Sequence, residues 1–383
     1  MKVALVENYG ADFLNSRLRF GLYLRSQGCQ VIAVIPDDGF ATRIQEQGIE
    51  VRTVDKNIRK RTPLNVLRYF RSIYKIFTKE KFDVIHFYSL QPNLIGTPAA
   101  FLGGINKTFV NHITGLGMVF TSDSIKYKML QFITVSGYKF NSKVCKAGLI
   151  FQNSQDQKQL ALFERSVVIC GSAVNEDKFN LNSILPEYLN ELKNELNIND
   201  GTTILFVSRL LKQKGLQYLV EGLKKYNMLN SKKINLIIVG WPDPENPDSF
   251  NQEEIGVFSQ IERIQYLGKR DDVNYLIQLA DIAALPTFYR EGTPRFLLEA
   301  MTMGKAILTT DMPGCDHLVG SDNNGIIISP RNSKSIIRAL EQFENMNLIE
   351  MGKYSRKLYF EKFSEAVVYS SIFKFYSQIL KQR

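Results

Sequence analysis

Short apolar, β-branched runs alternate with longer stretches of helical period along the whole chain. In the first half the runs fall at residues 3–7, 31–35 (closed by Pro36), 82–87, 108–113, 149–153 and 166–169, and a helical pattern at about 16–27 ends at Gly28. The pattern then restarts. A polar helical stretch at 184–196 precedes a strand at 202–207 and a helix at 216–226, and further strands are predicted at 234–239, 263–267, 282–285 and 306–309. Runs that are apolar throughout, separated by helical periods, belong to a parallel sheet with crossover helices on both faces. The expected fold class is therefore α/β, with two consecutive doubly wound domains. The change falls between residues 170 and 200, and the expected division is 1–175 and 176–364. A last helix at 366–380, rich in Tyr, Phe and Ile, is expected to pack back on the first domain, so that about 365–383 joins it. Ligands in such sheets bind outside the carboxyl ends of the strands, and the cleft between two such domains is the expected site.

Composition narrows the class. With 383 residues, 44% hydrophobic and 22% charged, the chain has core enough for two domains of ordinary size. The first residues, Met1-Lys2-Val3-Ala4-Leu5-Val6-Glu7, reach an acid after four apolar positions, and no signal peptide is expected. No apolar run approaches the roughly 18 residues of a spanning helix. A cytoplasmic protein is expected. Cys29, Cys145, Cys170 and Cys315 are scattered, and His86, His112 and His317 are not at helical-pair spacing, so no protein-built metal centre is expected.

The net charge of +10 is unevenly placed. Between Lys56 and Lys81 there are nine Lys or Arg, among them Arg59, Lys60 and Arg61, against the single acid Glu80. Leu64, Leu67, Tyr69, Phe70, Ile73, Tyr74 and Phe77 interleave with them as in a basic amphipathic helix. Lys126 to Lys146 adds five lysines and no acid, among Met129, Leu130, Phe132 and Phe140. Anionic lipid attracts such segments. Nucleic acid would too, and a solvated basic face is the plain alternative.

Candidate chemistry sits in the second half. In Tyr289-Arg290-Glu291-Gly292-Thr293-Pro294-Arg295-Phe296-Leu297-Leu298-Glu299, an acid precedes a glycine turn, and Thr293 and Pro294 suit the N-cap and first position of a helix that carries Glu299. Amides at a helix N-terminus favour a phosphate. The plain alternative is a capped surface helix with two solvated acids. In Ser208-Arg209-Leu210-Leu211-Lys212-Gln213-Lys214-Gly215, Arg209 and Lys214 leave the carboxyl end of a strand, where two cations can neutralise a departing diphosphate.

Together these pieces resemble the family-4 retaining glycosyltransferases of GT-B fold. The Arg-x4-Lys-Gly turn matches at Arg209, Lys214 and Gly215, and the Glu-x7-Glu motif at Glu291 and Glu299. Gly171-Ser172-Ala173-Val174-Asn175 is similar to the family's junction segment. Gln91-Pro92-Asn93, Ile113-Thr114-Gly115-Leu116-Gly117 and Phe151-Gln152-Asn153 resemble a bacterial subgroup that extends polyprenyl-diphosphate-linked oligosaccharides, often from UDP-N-acetylhexosamines, for surface polysaccharide, O-antigen, capsule or glycan synthesis. The glycine turn after the first strand is reduced to Tyr9-Gly10-Ala11. Where many members carry a histidine near the reacting sugar, this chain has Thr114, with His112 two residues earlier.

The resemblance implies two Rossmann-like domains, the first binding the acceptor and the second the nucleotide sugar. It implies transfer of a hexose or N-acetylhexosamine from a UDP-sugar to a lipid-diphosphate-linked saccharide, with retention of anomeric configuration. Glu299 would bind the ribose. Arg209, Lys214, Gly292, Thr293 and Arg295 would bind the diphosphate, although Arg295 can instead pair with an acid. Glu291 would orient the donor sugar, with His112 and Thr114 beside it and Asn93 and Gly10 on the acceptor side. No cofactor and no metal are expected, because the chain lacks an Asp-x-Asp motif. The basic first-domain segments would hold the enzyme on the inner face of the plasma membrane, with no nucleic-acid partner. A GT-B sugar-nucleotide epimerase and a basic nucleic-acid-binding protein are the alternatives.

Overall fold

The computed structural model describes residues 1–56, 62–104, 107–121, 124–171, 173–198, 200–243, 246, 248–320 and 323–382. Arg59, Lys60 and Arg61 of the basic stretch and Ser172 of the junction segment lie outside the described residues. The chain divides into two compact units, Met1–Ala173 with Glu365–Arg383, and Val174–Ser364.

The first unit is built on a seven-stranded sheet of β1 (Lys2–Val6), β2 (Gln30–Pro36), β3 (Glu50–Val54), β4 (Val84–Tyr88), β5 (Thr108–Ile113), β6 (Gly148–Phe151) and β7 (Ser166–Val168). Its order is β3-β2-β1-β4-β5-β6-β7 and every pairing is parallel. The strand sequences are apolar throughout because both faces are covered. Val3 and Leu5 enter one hydrophobic cluster, while Ala4 and Val6 enter the other. The first cluster is closed by the Glu365–Lys381 helix, whose Val368, Ile372, Phe375, Tyr376 and Ile379 are buried in it. The expected return of the chain's last helix to the first unit is thus observed, and the Arg19–Glu365 ion pair fastens its start.

The second unit repeats the plan with β8 (Thr202–Val207), β9 (Ile234–Val239), β10 (Ile264–Tyr266), β11 (Ile282–Leu285), β12 (Ala306–Thr310) and β13 (Gly325–Ile328). The order β10-β9-β8-β11-β12-β13 is again parallel throughout. In both sheets the winding reverses once, between β1 and β4 and between β8 and β11. Chains in such sheets leave a crevice at the carboxyl ends of the two strands where the direction changes.

Three local expectations differ from the structure. β3 and β13 are strands that the apolar pattern does not announce. Both are edge strands: β3 buries only Val51 and Val54 while Glu50 is exposed, and β13 leaves Ile327 exposed. An edge strand has one unpaired side and less cover, so its sequence need not be continuously apolar. The helix expected from about residue 16 is two helices, Gly10–Ser16 and Leu18–Ser26, broken at Arg17. The helix after Glu291 spans Arg295–Thr302 with Pro294 at the N-cap, one residue later than the Thr293–Pro294 start. Pro294 has the helical φ of −63° but an extended ψ of 117°, which is the half-in conformation of a cap.

Two basic segments form helices in the first unit. Pro63–Lys79 is capped by Thr62, whose hydroxyl accepts the Asn65 N–H, and it buries Tyr69, Ile73 and Phe77 at fourfold spacing. Ile125–Lys143 buries Thr134, Tyr138, Asn141 and Ser142. It leaves Ile125, Met129, Phe132, Ile133 and Phe140 exposed. Among the described residues no helix is long and apolar enough to cross a membrane.

Candidate functional site

In the second unit, the turn after β8 and the loop after β11 meet at the winding reversal. Gly215 has φ 80°, and a Cβ there would come within 1.9 Å of the Pro286 carbonyl oxygen, so only glycine lets the turn seat on the end of β11. The Gln213 carbonyl accepts the Phe288 N–H at 2.9 Å and lies 3.0 Å from Thr287 Oγ1. This seating delivers Lys214 to Glu291, and the two side chains form an ion pair in which each is almost nine-tenths buried. Thr287 Oγ1 lies 3.3 Å from the same carboxylate, and the Lys214 ammonium is 5.0 Å from the centre of the Tyr289 ring. The pair is therefore held from several sides. It presents a fixed positive and a fixed negative group at the carboxyl edge of the sheet. Cys315 is sealed nearby, its thiol pushed up by burial and by Glu291.

Arg209 takes another direction. It is about half exposed, and its Nη1 donates to Asp243 at 3.0 Å. Arg209 and Lys214 thus leave the same turn but are tied to different loops. Glu299 lies inside its helix, 9% exposed, with Arg295 Nη2 at 3.4 Å from Oε1. Burial raises its carboxyl above the ordinary range, while Arg295 and then Lys178 pull it down. The open choice for Arg295 resolves to pairing with an acid in this structure. Gly292 and Thr293 are buried in the loop between the two acids. The Glu-x7-Glu motif is thus two separate ion pairs, each carboxylate with its own cation.

The expected acceptor-side residues fall in the first unit and are mostly enclosed. Asn93 is fully buried; its amide donates to the His112 carbonyl at 3.0 Å and lies 3.1 Å from Tyr138 Oη. His112 is buried too, stacked at 5.3 Å on His86, with Nε2 3.3 Å from Gln152 Nε2. Burial, and next the charge of Arg17, hold its imidazole well below the ordinary value. Both side chains are enclosed beside β5, and His112 Nδ1 and Asn93 Oδ1 find no hydrogen-bond partner among the described residues. Thr114 follows β5 and is partly exposed. Gly10 donates its N–H to Asp38 Oδ2 at 2.7 Å, and a Cβ there would lie 2.5 Å from Asp38 Oδ1. The absence of a side chain at Gly10 lets it pack closely against the loop after β2.

The sequence reading missed a second buried pair. Glu7, directly after β1, is 1% exposed, and Arg17 is 8% exposed at the break between the first two helices. Arg17 Nε donates to Glu7 Oε2 at 3.1 Å. The other oxygen, Oε1, accepts from the Asn8 N–H at 2.9 Å and from Ser89 Oγ at 3.1 Å. Ser89, just after β4, has φ 70°. The only local sign was an acid ending an apolar strand; its partner lies ten residues away across a helix. Among the described residues no cluster of three or more His, Cys, Asp or Glu could hold a metal ion.

Comparisons agree with this geometry. Residues 2–154 match the family profile "Glycosyl transferase 4-like" and residues 190–358 match "Glycosyl transferases group 1". The chain is 26% identical to the N,N'-diacetylbacillosaminyl-diphospho-undecaprenol alpha-1,3-N-acetylgalactosaminyltransferase of Campylobacter jejuni, covering 100% of both proteins. It is also 26% identical to the UDP-Gal:alpha-D-GlcNAc-diphosphoundecaprenol alpha-1,3-galactosyltransferase of Escherichia coli, covering 70% of this chain and 68% of the relative. Among solved structures, a glycosyltransferase from Rickettsia africae has a TM-score of 0.79 at 20% identity, with 100% of this chain and 99% of that one covered. HepE of Anabaena in complex with UDP-glucose has a TM-score of 0.78 at 17% identity, with 99% and 100% covered. Two parallel doubly wound sheets, the motifs at their winding reversals and these matches lead to one statement: the chain is an enzyme of the family-4 glycosyltransferases, with the GT-B fold.

Proposed function

We propose that the enzyme transfers a hexose or N-acetylhexosamine from a UDP-sugar to a saccharide carried on a polyprenyl diphosphate, retaining anomeric configuration, in the synthesis of a surface polysaccharide or glycan. The observation that carries this reading is the end-to-end match with the Campylobacter transferase, whose name specifies a sugar-diphospho-undecaprenol acceptor. The Lys214–Glu291 pair supplies the chemistry. As the bond from the anomeric carbon to the UDP oxygen breaks, negative charge grows on the diphosphate. Lys214, the amides around Gly292–Arg295 and, if it turns from Asp243, Arg209 stabilise that charge. Glu291 orients the donor sugar, and Glu299 binds the ribose. The leaving phosphate oxygen takes the proton of the acceptor hydroxyl on the same face, so no protein base is needed. Metal-independent turnover is part of the proposal, and activity that persists in excess chelator would support it.

The same reading puts the enzyme on a membrane surface from the cytoplasmic side. Ile125, Met129, Phe132, Ile133 and Phe140 fall on one face of the Ile125–Lys143 helix, bordered by Lys126, Lys128, Lys139 and Lys143. A positive, apolar face suits an anionic lipid surface. Phe132→Ser with Met129→Ser is expected to weaken binding to vesicles containing anionic phospholipid roughly tenfold. Unaltered binding in a sedimentation assay would remove this helix from the interface. The substrate proposal is tested by incubating UDP-sugars with polyprenyl-diphosphate-linked mono- and disaccharides and reading the products by mass. The expected product is an acceptor one sugar heavier. Conversion of the UDP-sugar with no acceptor present would favour an epimerase instead.

A further inference from the structure

The first unit carries at its own winding reversal a built polar site that the donor chemistry does not use. β1 and β4 are neighbours in the sheet, and their carboxyl ends lead into Glu7 and Ser89. Arg17 returns to this point from the helix break and lies over Tyr88, its guanidinium carbon 4.0 Å from the ring centre. Tyr88 in turn stacks on His86 at 4.0 Å, and His86 Nδ1 is 2.5 Å from Tyr376 Oη on the last helix. The guanidinium is thus held from one side by an aromatic column and in direction by one carboxylate.

We propose that this edge binds the phosphate-bearing end of the acceptor, with Arg17 as the anion ligand and Glu7 and Tyr88 as the groups that position it. The proposal rests on the reading that the acceptor is a lipid-diphosphate saccharide. Three observations carry it. Only Nε of Arg17 is engaged: among the described residues no group accepts from its two terminal nitrogens, and neither is among the sealed, unpartnered polar atoms although the residue is only 8% exposed. A planar pair of N–H groups facing one way matches two oxygens of a phosphate. Next, the carboxylate beside it does not compete for that face. Both Glu7 oxygens are taken, one by Arg17 Nε and the other by the Asn8 N–H and Ser89 Oγ. Last, the arrangement is costly to hold. Two charges are withdrawn from water, and Ser89 adopts a backbone conformation that disfavours a side chain. A guanidinium whose terminal nitrogens have no protein acceptor among the described residues, at the edge where sheets of this kind bind ligands, has donors to spare for an anion.

The test compares two acceptors for the same sugar: the polyprenyl-diphosphate form and a phosphate-free alkyl glycoside. In the wild-type enzyme the diphosphate form is expected to have much the lower KM. Arg17→Gln should raise that KM about ten- to a hundredfold and largely erase the preference between the two acceptors. UDP affinity, measured by calorimetry, should stay within twofold, which also shows that the variant is folded. Arg17→Lys keeps the charge but not the fork, and should lose part of the preference; it stands in if the Gln variant does not fold. A folded variant that keeps the full preference overturns the assignment, as does one in which both acceptors and UDP weaken together. A wild-type enzyme with no preference for the diphosphate form would instead refute the lipid-diphosphate reading itself.

Discussion

The two winding reversals of this molecule solve one problem in mirrored ways. In the second unit the cation, Lys214, comes from the turn after the first strand, and the carboxylate, Glu291, from the loop after the fourth. In the first unit the carboxylate, Glu7, comes from the end of the first strand, and the cation, Arg17, from a helix break. In each, a hydroxyl placed just after the fourth strand touches the carboxylate: Thr287 beside Glu291 and Ser89 beside Glu7. The difference lies in what is left open. Lys214 is a point charge buried against its acid, suited to charge that grows and fades during reaction. Arg17 is a planar fork whose terminal nitrogens have no protein acceptor among the described residues, suited in our proposal to a group that binds and stays. A doubly wound sheet supplies the location, and in the proposed reading the residue types at each reversal divide chemistry from holding.

The sharpest way to break this comparison is at Lys214. Removing its ammonium by Lys214→Ala leaves Glu291 without its cation, and kcat is expected to fall about a hundred- to a thousandfold with acceptor KM little changed. Steady-state kinetics that showed a loss confined to acceptor KM would exchange the roles of the two pairs. Acid should separate the units next. Burial holds His86 and His112 of the first unit well below the ordinary histidine value of 6.5. The folded state then binds fewer protons than the unfolded one below that pH, so stability is lost as pH falls through it, by about 1.4 kcal/mol per pH unit for each histidine. Glu7, raised by burial, acts in the opposite sense. Amide exchange at pH 5.5 against pH 7 should therefore loosen the first unit before the second; equal loosening would contradict it. The smallest effect is expected at Glu299. Glu299→Gln should raise donor KM by about three- to tenfold with kcat nearly unchanged, because in the proposed mode only a binding contact to the ribose is weakened. A large kcat loss in initial-rate measurements would return this acid to the reacting centre.

How much of this was legible beforehand differs by region. The apolar runs of the central strands are continuous because two helical layers cover them, and β5, β8, β9 and β11 coincide with their runs to the residue. The edge strands β3 and β13 carry no such signature, having less to bury. Lys214 and Glu291 could be singled out because each lies in a short stretch with glycine and charge at fixed spacing. Glu7 and Arg17 could not, since a pair joined across a helix break has no spacing of its own. Asn93, in the helical turn after β4, and His112, near the end of β5, were singled out by the family-like segments around them, but their enclosure was not legible, because the side chains that cover them come from distant positions such as Tyr138 and Gln152.

The amino-acid order alone therefore determined the two-sheet class, the return of the last helix and the family, because periodicity and local motifs are properties of neighbouring residues. Tertiary structure decided which charges meet. It divided the Glu291/Glu299 motif into two ion pairs, turned Arg209 toward Asp243, enclosed Asn93 and His112, and brought Glu7, Arg17 and Ser89 together. Coulomb and hydrogen-bond energies depend on distances of a few ångströms, and those distances exist only once the strands have paired and the turns have packed.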